Sequence, residues 1–132
     1  MRFRSTLSIL ALLLCGPAAH TQAPPQQKPE EQVFDPYHAE KSVEIGTYYM
    51  KKGNYDAAIE RFQDATRHRP NFARAYRLLG EAYEKKGDKG EAVKAYRKYL
   101  EILPSAEDAG KTKKRIEKLS REQERAARRR SG

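Results

Sequence analysis

One cysteine, Cys15, is all this chain carries, so no disulfide can close within it. No stretch approaches the roughly 20 consecutive apolar residues that span a bilayer. The longest apolar run, Leu7 to Leu14, is broken by Ser8. Histidine is scarce as well: His20, His38 and His68, with none near another in sequence. No pair of histidines, cysteines or carboxylates reads as spaced for a metal. Nor does a glycine-rich loop open a helix, as phosphate binding requires. Lys51-Lys52-Gly53-Asn54 and Lys85-Lys86-Gly87-Asp88 have the composition of such a loop, but their glycine ends a helix, so its backbone donors point the wrong way. The sequence therefore supports no catalytic residue, no cofactor and no metal site, and argues against an enzyme.

What the chain does have is self-similarity. Shifting residues 39–70 by 34 onto residues 73–104 leaves eight positions identical: Ala39/Ala73, Gly46/Gly80, Tyr49/Tyr83, Lys51/Lys85, Lys52/Lys86, Gly53/Gly87, Ala58/Ala92 and Pro70/Pro104. Ile45/Leu79, Ile59/Val93 and Phe62/Tyr96 keep their character. Apolar residues concentrate between Val43 and Leu119, and each repeat unit reads as a helical hairpin. The first helix covers about 39–52, with Gly53-Asn54 as the turn and Asn54 or Asp56 as the cap of a second helix to about Arg67, stopped by Pro70. The copy runs over about 72–86 and 90–103, with Gly87-Asp88 between and Pro104 after. Glycine in a helix interior costs about 1 kcal/mol relative to alanine. Its recurrence at Gly46 and Gly80 thus implies helix crossings that admit no Cβ, matched by small Ala58 and Ala92 and filled by Tyr49, Phe62, Tyr83 and Tyr96.

This pattern resembles the tetratricopeptide repeat. The implied fold is all-α: two helix-turn-helix repeats, residues 39–72 and 73–106, plus a C-terminal capping helix over 107–122, a fragment of a right-handed α-solenoid. Ala109, Thr112, Ile116 and Leu119 give the cap a narrow apolar stripe, and Ser105 with Asp108 is spaced like a capping box. Tyr99, where repeat one has small Ala65, marks the last repeat before the cap. Two repeats are fewer than solenoids usually need, so Phe34 and Tyr37, the cap or a partner must add burial.

The ends read differently. Arg2 and Arg4, the apolar Leu7–Cys15 and small Gly16, Pro17, Ala18 and Ala19 have the layout of a secretory signal over residues 1–23. Cys15 is a candidate lipid acceptor, but bulky Leu14 precedes it, so plain cleavage near Ala18, Ala19 or Ala23 is favoured. Residues 24–38 are a proline-rich linker in which Val33, Phe34 and Tyr37 are expected to pack on the first helix. Ten basic residues between Lys111 and Arg130 oppose three acids and carry most of the net charge of +9. Residues 123–132 are expected to be a disordered basic tail.

The resemblance implies protein binding in a groove lined by the first helix of each repeat. The residues it places there are Glu40, Val43, Thr47, Met50, Arg74, Arg77, Glu81 and Glu84. The family's carboxylate clamp of lysine and asparagine is not reproduced, Val43 and Thr47 standing in its place. Residues 49–62 also resemble the opening repeat of the lipoproteins of the bacterial outer-membrane β-barrel assembly machinery. The reading is a non-catalytic adaptor of the bacterial cell envelope, periplasmic or tethered to the outer membrane, binding an envelope protein or peptide segment and no nucleic acid. Its rival is a module held on anionic lipid by the basic tail.

Overall fold

The computed structural model describes residues 33–132. Readings that fall on residues 1–32, namely the export signal, Cys15 and most of the linker, lie outside the described residues. Five helices and no strand occur among the described residues: α1 (Pro36–Lys51), α2 (Tyr55–His68), α3 (Ala73–Lys86), α4 (Lys89–Ile102) and α5 (Ala109–Arg130).

Local chemistry sets the boundaries. Asp35 caps α1 by accepting the backbone N–H of His38, and Pro36 occupies the first turn, where its missing N–H costs nothing. The helix therefore starts three residues before Ala39, and the linker reading is too long by those residues. Asn54 caps α2 and Asp88 caps α4, each through its side chain. Gly53 (φ 73°) and Gly87 (φ 93°) are left-handed, which closes the first helix of each pair cheaply.

Packing follows the chain in order: α1 on α2, α2 on α3, α3 on α4 and α4 on α5. One buried cluster joins Ala39, Val43, Phe62, Ala65, Phe72, Ala75 and Leu79 across the two hairpins, and another joins Ala92, Val93 and Tyr96 to Leu119 of α5. Both mid-helix glycines sit under a ring. A Cβ on Gly46 would stand 2.6 Å from Phe62, and one on Gly80 would stand 2.7 Å from Tyr96. Ala58 and Ala92 are fully buried beside them.

Four expectations need correction. Val33, Phe34 and Tyr37 do not pack on α1; they are exposed, Tyr37 by 82%, so the added burial comes from α5. Helical spacing from Val43 and Ile45 also puts Tyr48 among the apolar positions of the first helix, but its side chain faces outward. No capping box forms at Asp108, whose carboxylate accepts the Tyr99 hydroxyl instead. The basic tail is helical through Arg130 rather than disordered from residue 123. Ala126 and Ala127 favour helix there, and a Lys89–Glu122 pair at 2.7 Å ties α5 back to α4.

Candidate functional site

Helices α1, α3 and α5 converge on a cleft of about 500 Å³ lined by Met50, Glu81, Glu84, Lys85 and Arg115. Met50 lies at the end of α1 and gives the cleft its apolar wall. Glu84, its counterpart one repeat on, is fixed from two sides: the Tyr96 hydroxyl donates to it at 3.0 Å, and Arg115 Nε stands 2.8 Å from the same oxygen. Burial, and next the charge of Glu84, pushes the Tyr96 hydroxyl far above the ordinary tyrosine value, so it stays a donor. Arg115 also lies over the Tyr96 ring, 5.8 Å from its centroid. Arg77 and Glu81 pair at 2.6 Å, one turn apart on α3.

The residues assigned to the groove thus divide. Met50, Glu81 and Glu84 line the cleft, with Arg77 bonded to Glu81. Glu40 and Arg74 form a separate exposed cluster with Arg69, at 3.7 and 3.3 Å from Glu40. Val43 is fully buried in the core and unavailable to a partner, because its side of α1 faces α2 and α3. Thr47 turns its hydroxyl back onto the Val43 carbonyl at 2.8 Å. Lys85 and Arg115 were missed. A signal for Arg115 existed: carrying the 34-residue offset one step past Glu81 lands on it, so the cap supplies a third groove helix.

The reading that no groups have metal spacing is also corrected. Asp64 and His68 lie four apart on α2, and α1 brings His38 beside them, so that one ligand atom from each falls within 4.8 Å of the others. Burial alone would raise the pKa of Asp64, but hydrogen bonds from Ser42, His38 and Arg67 outweigh it and hold the carboxyl below its usual value.

The tetratricopeptide repeat family matches residues 43–107. Over those residues the chain is similar to tetratricopeptide repeat proteins. Among its relatives, Hsp70-Hsp90 organizing protein 3 of Arabidopsis thaliana is 33% identical over 76 residues, which are 58% of this chain and 14% of the relative. Small glutamine-rich tetratricopeptide repeat-containing protein 2 of Mycosarcoma maydis is 42% identical over 59 residues, or 45% of this chain and 17% of that one. The matched regions are thus under a fifth of either relative. A crystal structure of MamA superposes with a TM-score of 0.54 at 27% identity, covering 71% of this chain and 63% of that one. Proteins built from this repeat are generally non-catalytic protein–protein interaction scaffolds.

Proposed function

We propose that the chain is an exported adaptor of the bacterial cell envelope, and that it holds a segment of another envelope protein in the cleft between α1, α3 and α5. The observation that carries this is the prearranged cleft: Glu84 is already fixed by Tyr96 and Arg115, so little ordering is left to be lost on binding. Met50 offers an apolar contact and Glu81, Glu84, Lys85 and Arg115 offer both signs of charge. That combination suits a short helix or extended segment with one apolar anchor and flanking charges. The names of the Hsp70-Hsp90 organizing relatives support the scaffold class. A buried Val43 and a self-bonded Thr47 do not supply a clamp for a chain terminus.

A photo-crosslinker at Lys85, inside the cleft, compared with one at exposed Glu60 on α2, tests the proposal in an envelope fraction. The same envelope protein should be captured from Lys85 and lost from Glu60; equal capture at both overturns the cleft. Mass spectrometry of the same preparation reads the mature N-terminus. A start near Ala19 or Pro24 fits plain export, an acylated Cys15 fits tethering, and an uncleaved Met1 contradicts both.

A second reading rests on α5, which stays helical to a last turn containing Arg128, Arg129 and Arg130, all exposed. Such a helix end can lie on anionic lipid. Binding to vesicles containing phosphatidylglycerol, lost on removing residues 123–132 and at high salt, distinguishes it from the cleft.

A further inference from the structure

The N-terminus of α1 and the C-terminus of α2 are stitched together in a way that collects two histidines and a buried-edge carboxylate. Asp35 accepts the N–H of His38 with its side chain and donates its own N–H to the His68 carbonyl at 3.0 Å. His38 Nε2 then stands 3.0 Å from Asp64 Oδ2, and His68 Nε2 stands 3.6 Å from Asp64 Oδ1. The two imidazoles lie 4.0 Å apart between centroids. Ser42 donates to Oδ2 of Asp64 at 2.5 Å, which fixes the carboxylate from the core side.

This grouping is not needed by the repeat. The positions 34 residues on hold Phe72, Tyr76, Lys98 and Ile102 in place of His38, Ser42, Asp64 and His68, and they build the same helical hairpin. Repeat one therefore carries a donor set that its fold could do without. Two imidazoles and a carboxylate are a transition-metal donor set, and three protein ligands leave a position open to water. Ligands about 2.0–2.1 Å from a tetrahedral zinc are roughly 3.3 Å apart. The two histidine–carboxylate separations, 3.0 and 3.6 Å, bracket this value, and all three ligand atoms lie within 4.8 Å of one another. His68 Nδ1 is buried with no hydrogen-bond partner, so no bond at that atom pins the ring against rotation. The opposing charge is Arg67, 2.9 Å from Asp64 Oδ1, on a side chain exposed enough to swing into solvent.

We propose that His38, Asp64 and His68 form a binding site for a late first-row divalent cation, zinc foremost. The bound cation takes the place of Arg67 on Asp64 and joins the start of α1 to the end of α2. It thereby stabilises the folded chain by an amount that grows with the logarithm of free cation above its dissociation constant.

Titration of the full, untagged chain with zinc chloride, followed by calorimetry and by thermal melting, tests this. The expected result is one saturable site per chain, a melting temperature that rises with zinc, and no response to magnesium. His38→Gln, on a half-exposed side chain, and His68→Gln should each weaken zinc binding by about tenfold or more. Their metal-free melting curves report whether the fold survives. His20→Ala should leave the titration unchanged. No saturable heat with the unmodified chain overturns the proposal. So does zinc binding that persists in folded His38→Gln and His68→Gln, or that disappears with His20→Ala.

Discussion

Repeat one and repeat two share a frame and differ in what they do with it. In both, a mid-helix glycine lies under an aromatic ring of the following helix. In repeat one the ring is Phe62, fully buried, and the groove-side neighbour is Met50. In repeat two the ring is Tyr96 and the neighbour is Glu84, joined by a hydrogen bond. One hydroxyl group thus converts a purely apolar crossing into one that reaches the cleft and holds a carboxylate there. The next turn shows the same divergence. Ala65 is small where α3 must approach, whereas Tyr99 reaches past to Asp108 at the start of α5. The first repeat is built to be followed by a copy of itself, and the second to be closed by the cap.

The largest expected effects break what the repeats share. Gly46→Leu and Gly80→Leu should each cost about 1–3 kcal/mol or more by overpacking, read from denaturant unfolding. Gly80→Ala is the sharper version. Helix propensity alone would favour alanine by about 1 kcal/mol. The new Cβ would fall 2.7 Å from a ring whose hydroxyl is tethered to Glu84 and cannot readily move away, so a net loss is expected. Unchanged melting of Gly80→Leu would show that this glycine is not at a crossing.

A smaller effect separates the repeats by pH. Burial, and then the bond to Asp108, pushes the Tyr99 hydroxyl up to about 12. Tyr96 shifts in the same direction. An unfolded tyrosine titrates near 10. Between those values the folded state keeps a proton that the unfolded state has released. The stabilisation is therefore complete below about pH 10 and is lost as pH rises toward 12. Phe62 and Ala65, at the matching positions, cannot contribute. Tyr99→Phe should flatten the fall in stability between about pH 10 and pH 12, while Phe62→Leu lowers stability at every pH without changing that slope.

Much of this arrangement could be read from the sequence. The period, the turns at Gly53 and Gly87, the crossings at Gly46 and Gly80, and the role of Tyr99 all follow from residues recurring at a fixed offset, because the same packing problem is solved twice. What escaped depends on contacts that do not recur. Val43 was placed in the groove by its position within the repeat, but that side of α1 packs against α2 and α3 in the core. Arg115 lies in the cap, where the repeat's identities have faded although its offset has not. His38 and Asp64 are 26 residues apart, and the packing of α1 on α2, with the cap of α1 bonded to the end of α2, brings them together. The helix beyond residue 122 is carried by alanines and a Lys89–Glu122 pair rather than by apolar periodicity.

The most direct measurement is a double-mutant cycle on Tyr96 and Glu84, because the cleft depends on the one holding the other. Tyr96→Phe and Glu84→Met each remove one partner, and together they rebuild in repeat two the Phe62 and Met50 pairing of repeat one. Each single variant should lose stability, and the double variant should recover part of the loss, with a coupling of about 1 kcal/mol. Strict additivity of the two losses would contradict the account, for it would mean that Tyr96 does not hold Glu84 in place.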